Sequence, residues 1–282
     1  MTIGNCLCGA LRWEIDGPLS AMMHCHCSMC RKSHGTLFAT FAIAPLASFR
    51  WQAGEDHVKN YRSSANGVRA FCPTCGSAAP GTMPEMGIVF VPAGNLQGDP
   101  GIRPQRHIFT GSKSPWYEIT DDLPQDEAYP PGVGAKGVER PAPAPRAGFT
   151  DGSCLCGDVA FELTGAPVRA MNCHCSRCRL GRGAAHATNL FYKLDQFRWT
   201  RGESLVTDYK VPEARFHAAA FCSRCGSKVP RISAERGVVN VPAGSLDTDP
   251  GMRPAAHIFV ADKAPWFEIT DSLPQHEQMP AG

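Results

Sequence analysis

The sequence predicts a mainly β protein built from two tandem copies of one cysteine-rich domain, with few short helices. Three observations predict it. Fourteen cysteines fall in short-spaced clusters. The clusters recur once along the chain, with a period near 150 residues. The chain also holds 28 glycines and 24 prolines. Their combined share is well above the roughly 12% average, which favours turns and short strands over long helices.

The 282 residues suffice for two domains of roughly 100–200 residues each, with no need for further staples. An apolar fraction of 43% and a charged fraction of 19% exclude a wholly disordered chain. A net charge of +2 lacks the basic excess that marks a dedicated nucleic-acid binder, so nucleic acid is not an expected partner. No apolar run reaches the roughly 18 residues a membrane helix needs. The first residues, MTIGNCLCGALRWEID, show no charged segment followed by an apolar one, so a cytoplasmic location is expected. Disulfides are rare in that compartment, and clustered thiols there point to metal.

Cys6, Cys8, Cys25, Cys27 and Cys30 recur at Cys154, Cys156, Cys173, Cys175 and Cys178, each 148 residues later. Trp51 and Tyr61 recur with the same shift at Trp199 and Tyr209. Cys72 and Cys75 recur at Cys222 and Cys225, 150 residues later, so two residues are inserted between Tyr209 and Phe221. From Phe71 to Glu127, 33 of 57 positions match the second copy, far more than chance gives. The period is that of a domain and not of a solenoid unit, which runs about 20–50 residues. Residues 128–148 hold five prolines and four glycines and read as a linker. The expected units are 1–127 and 149–282.

Within each copy the pattern is strand-like. Leu11 to Asp16 and Val159 to Leu163 alternate apolar and polar. FATFAIA (38–44), GIVFVPAG (87–94), RHIFTG (106–111) and WYEIT (116–120) read as further strands. A helical turn is expected only after Cys30 or in NLQGDP (95–100).

Each copy carries seven cysteines in C-x-C, C-H-C-x-x-C and C-x-x-C clusters. C-x-x-C turns aim two sulfurs at one tetrahedral ion, and zinc favours such ligands. A closed structural zinc takes four sulfurs, which leaves three, and three protein ligands with an open position is the pattern of a reactive site. The contiguous triplets Cys25, Cys27, Cys30 and Cys173, Cys175, Cys178 are the natural open sites. Cys6, Cys8, Cys72, Cys75 and Cys154, Cys156, Cys222, Cys225 would then be closed, giving about four zinc ions per chain. Spacing alone leaves other groupings open, including a histidine that completes the triplet. His24 and His34 become Asn172 and Arg182 in the second copy, which makes them poor shared ligands. His26 recurs as His174 but sits between two ligands, where its ring is expected to point away from the ion.

Three thiolates outweigh the charge of one zinc ion. Such a site is a weak activator of water and suits a soft fourth ligand, such as a substrate thiol that ionises on binding. A thiolate held this way can attack a small electrophile such as an aldehyde.

The order G-x-C-x-C-G (from Gly4), C-H-C-S-x-C-R (Cys25 to Arg31), F-C-x-x-C-G-S (Phe71 to Ser77), V-P-A-G-x-L (Val91 to Leu96) and H-I-F-x-x-x-K-x-P-W (His107 to Trp116) resembles the glutathione-dependent formaldehyde-activating enzymes, which group with centromere protein V. The second copy repeats the order nearly throughout. The resemblance implies a β-tent zinc fold and the same division into a structural zinc and a catalytic triplet. It also implies condensation of glutathione with formaldehyde to S-(hydroxymethyl)glutathione, formally a carbon–sulfur lyase reaction in reverse.

Arg31 and Arg179, directly after the triplets, are candidates for binding the carboxylates of a glutathione-like thiol. Lys32, replaced by Leu180, is not a shared binding residue. His107 and His257 read chiefly as core histidines held by backbone hydrogen bonds, with a proton shuttle as the sharper alternative. Trp116 and Trp266 read as core or pocket-wall aromatics, and the acidic ends ITDDLPQDE and ITDSLPQHE as solvated segments. The competing function class is a zinc-stabilised binding module without catalysis. The duplication also predicts that the copies pack on each other as a pseudo-dimer.

Overall fold

Short alternating segments between Gly/Pro breaks cannot bury a helical stripe, and the chain accordingly folds into strands. The computed structural model describes residues 1–65, 67–130, 143–215 and 217–280. Of the linker expected over 128–148, residues 131–142 lie outside the described residues. Among the described residues there are 21 strands and two α-helices, so the chain is mainly β.

In the first copy, Thr2–Asn5, Arg12–Ile15 and Phe49–Ala53 form an antiparallel three-stranded sheet. A five-stranded sheet runs in the spatial order His107–Ile108, Ala21–Cys25, Ala39–Pro45, Ile88–Pro92, Gly81–Met83. His107–Ile108 joins it in parallel beside His24 and Cys25. Lys59–Ser64 and Gly67–Phe71 make a hairpin that delivers Cys72. The second copy repeats this plan from Phe149–Ser153 onward and adds Gln275–His276 at the edge of its larger sheet.

The expected strands at 11–16, 38–44 and 87–94 form. RHIFTG shrinks to His107–Ile108, and WYEIT forms none. Pro115 and Trp116 turn there, and Trp116 sinks into the core instead of alternating. In NLQGDP only Asn95 is helical, as the end of the turn Ala93–Asn95. The helical turn after Cys30 is α1, Ser28–His34, and its counterpart is α2, Ser176–Arg182. The two-residue insertion lies in the second hairpin's turn: Tyr61 pairs with Arg69, and Tyr209 with Ala219.

One hydrophobic cluster takes in Trp13, Phe38 and Val91 from the first copy and Phe161, Val241 and Trp266 from the second. The V-P-A-G motif lies at this junction. A Cβ on Gly94 would overlap the backbone of Ala184, just after α2, and one on Gly244 would overlap Thr36, just after α1. Glycine is therefore required where each motif meets the other copy's helix.

Candidate functional site

Cys6 and Cys8 sit on the loop between the first two strands, and Cys72 and Cys75 on a C-x-x-C turn about 65 residues later. Their four Sγ atoms lie within 4.8 Å of one another, as do those of Cys154, Cys156, Cys222 and Cys225. Cys6 and Cys8 are 3.5 Å apart and Cys8 and Cys72 3.7 Å. Sulfurs held tetrahedrally at about 2.3 Å from zinc are separated by about 3.8 Å, whereas a disulfide closes to about 2.05 Å. The donor set therefore fits a zinc-like ion and not a pair of disulfides. Leu11 N donates to Cys6 Sγ at 3.3 Å, and Ser77 Oγ lies 3.2 Å from Cys75 Sγ while accepting from Leu7 N. Ser77 thus ties the C-x-C loop to the C-x-x-C turn. Hydrogen bonding to Cys6 leads the effects that bring the Cys72 thiol down to about 7.

Cys25 ends a strand, Cys27 caps α1 and accepts from Cys30 N at 3.4 Å, and Cys30 lies in the first turn. Strand end, cap and first turn converge because the chain reverses within six residues. The Sγ atoms of Cys25, Cys27 and Cys30 lie within 4.8 Å of one another, as do those of Cys173, Cys175 and Cys178. Among the described residues no histidine or carboxylate joins either triplet. Hydrogen bonds, first from Cys173, hold the Cys175 thiol down to about 2. Each copy therefore separates its cysteines into a group of four and a group of three.

The histidines lie behind the triplets. His26 Nε2 is 2.8 Å from His107 Nδ1, and His107 Nε2 is 2.9 Å from Asp121 Oδ1. With its carboxylate as the acceptor, Asp121 takes the N–H of His107 at Nε2. His107 Nδ1 then accepts from His26 Nε2–H, which leaves His26 Nδ1 bare. Burial pushes His26 down to about 3, in keeping with a neutral ring. His174, His257 and Asp271 repeat the line. His107 is thus buried as expected, but side chains and not a backbone group hold its ring. Both of its ring nitrogens are engaged, so neither is offered to a substrate. His24 bonds Thr40 and His34 bonds the Arg182 carbonyl. The acidic ends are not merely solvated: Asp121 holds His107, and Asp126 pairs with Arg106 at 2.7 Å.

A family model described as glutathione-dependent formaldehyde-activating enzyme matches residues 1–112 and 149–262. The chain belongs to this family. A relative from Halomonas elongata, named "Putative glutathione-dependent formaldehyde-activating enzyme", is 29% identical over 136 residues, covering 45% of this chain and 85% of its own length. A crystal structure of a Rhodobacter sphaeroides protein is 28% identical, covers 37% of this chain and 91% of its own, and has a TM-score of 0.28.

Within this formaldehyde-activating family member, Arg31 spends donors on its own chain. Its Nε reaches the His26 carbonyl at 3.2 Å and Nη2 the Ser112 carbonyl at 3.4 Å. Arg179 Nε likewise reaches the Asp262 carbonyl at 3.1 Å. Both arginines clamp the loop after the H-I-F motif onto the triplet. Trp116 and Trp266 are core residues. Lys32 crosses to the second copy, donating to Ser153 and pairing with Asp247. Arg69, unmarked by any motif, places Nη1 3.5 Å from Cys30 Sγ. Only the difference between Arg69 and Ala219 in otherwise similar hairpins hinted at it. No helix among the described residues is long and apolar enough to cross a membrane.

Proposed function

We propose that the chain condenses glutathione, or a similar thiol, with formaldehyde at its cysteine triplets, while the groups of four hold structural zinc. The observation that carries this reading is the triplet itself: three convergent sulfurs with no fourth cysteine, histidine or carboxylate among the described residues. The family model gives the substrates their names.

Cys25, Cys27 and Cys30, and their counterparts, would hold the ion. A zinc ion held by these sulfurs would lower the pKa of a substrate thiol that joined them and so supply it as thiolate. The sulfur lone pair forms a C–S bond to the carbonyl carbon, and the carbonyl π pair moves to oxygen. The thiol proton leaves to solvent and the oxygen takes one back, so no net proton is consumed. The chain's part is positioning. Arg31 and Arg179 clamp the loop beside the triplet, and the His26–His107–Asp121 line fixes the Cys25–Cys27 turn from behind. Arg31 Nη1 and the second N–H of Nη2 are the donors proposed to meet a substrate carboxylate. The two copies act together as a pseudo-dimer, each supporting the other's triplet helix, a view supported by the glycine contacts at Gly94 and Gly244. About four zinc ions per chain are expected.

The test follows exchange between formaldehyde and glutathione by NMR, in the zinc-loaded chain and in the double variant Cys27→Ser/Cys175→Ser. Exchange above the uncatalysed rate that disappears in the double variant supports the reading. Equal rates in both remove it, and the binding-module reading then stands.

A further inference from the structure

The two triplets share ligands but not surroundings. Cys25, Cys27 and Cys30 are 4%, 6% and 3% exposed, whereas in the second triplet only Cys173 is buried and Cys175 and Cys178 are partly open. The difference extends along the helices. Met29, Cys30, Ser33 and His34 are buried in α1, but in α2 only Gly181 is.

Sequence differences around the triplets account for this. Arg69 occupies Cys30 with a donor at 3.5 Å, and the hairpin register puts Ala219 at the matching position. A fixed cation on one sulfur withdraws its charge and fills space beside it. Met29, buried in the same apolar cluster as the first triplet, becomes Arg177 in the second copy. Phe109 packs against that cluster, and Tyr129 lies edge-on to Phe109, with ring centroids 4.7 Å apart. Phe109 N donates to the Ala128 carbonyl at 3.0 Å, which pins that segment in place. Tyr129, itself 38% exposed, corresponds to Met279, which is 47% exposed and has no ring to lay over Phe259.

We infer that the triplets have divided their labour: Cys173, Cys175 and Cys178 form the site that admits a thiol substrate, and Cys25, Cys27 and Cys30 form a covered site. This rests on the reading of the triplets as reaction sites, and it assigns the turnover to the second copy. A tandem chain permits such a division, because its copies can diverge where the subunits of a homodimer cannot.

The test reads access directly and needs no turnover. The zinc-loaded full chain is treated with N-ethylmaleimide, and labelling is followed by peptide mass spectrometry, with the groups of four as internal reference. Thiol modification follows exposure, so the second triplet is expected to label at least about tenfold faster than the first. Equal or reversed order overturns the inference. In Arg69→Ala/Tyr129→Ala, labelling of the first triplet is expected to rise toward that of the second. No rise would show that these residues are not its cover, and would also overturn the inference. Loss of formaldehyde exchange in the wild-type chain would instead remove the proposed reaction, whatever the labelling order.

Discussion

The ammonium of Lys32 lies 2.6 Å from Asp247 Oδ1, with both side chains largely buried at the junction of the copies. The opposite junction has Leu180 and Gln97 at the matching positions. The Lys32→Leu variant leaves Asp247 without its cation, which is expected to cost about 3 kcal/mol. Lys32→Leu/Asp247→Gln copies the other junction and is expected to recover most of that loss. Urea unfolding of the three proteins checks it, and a double variant as weak as the single one would contradict the pairing.

Lys228 is 1% exposed and donates to the carbonyls of Gly76 and Gly226, one from each C-x-x-C-G turn. Its counterpart is Ala78, so one cation serves both turns. Lys228→Met strands both carbonyls, at an expected cost of about 1–3 kcal/mol. Release of zinc to a chromogenic chelator is expected to quicken for the groups of four. Unchanged release with unchanged stability would contradict this role.

His186 is buried against His174, His257, Phe38 and Phe267. Burial, then the neighbouring His257, pushes it down to about 3. Unfolded histidine titrates near 6.5, so between about 3 and 6.5 the unfolded chain binds the extra proton. Stability therefore falls as pH drops through that window, by up to about 1.4 kcal/mol per pH unit from this residue. His186→Phe, which copies Phe38, is expected to flatten that slope in urea midpoints taken at several pH values. Acid loss of metal affects both proteins alike, so an unchanged difference between them across the window would refute the assignment.

Asp121 fixes the tautomers of His107 and His26 from 14 residues beyond His107. Asp121→Asn can donate where an acceptor is needed, and a loss of about 1–3 kcal/mol is expected. The Nε2–H signals of His26 and His107 in 15N NMR are expected to change with it. Signals that stay as in the wild type would show that Asp121 does not set the tautomer.

The contiguous cysteine triplets, the β class and α1 were legible because each is written in local spacing, whereas the groups of four followed only as the cysteines left over. C-x-x-C, C-H-C and period-two alternation act over a few residues. What stayed hidden joins distant segments. His26 meets His107 across 81 residues, and Arg69 meets Cys30 across 39. WYEIT has a strand's composition, but Trp116 gains more by burial in the core than by pairing. Lys32, set aside as a shared binding residue because Leu180 replaces it, serves one junction only, an asymmetry that two non-identical copies allow.

The central claim is that each triplet holds its ion by three sulfurs alone, with the second triplet admitting a thiol as the fourth. X-ray absorption at the zinc edge of the fully loaded chain, with and without glutathione, tests it most directly. About four zinc ions per chain are predicted, with fewer than four sulfurs per zinc on average and a rise when glutathione is added. Two zinc ions per chain, or a sulfur number that glutathione does not change, would contradict it.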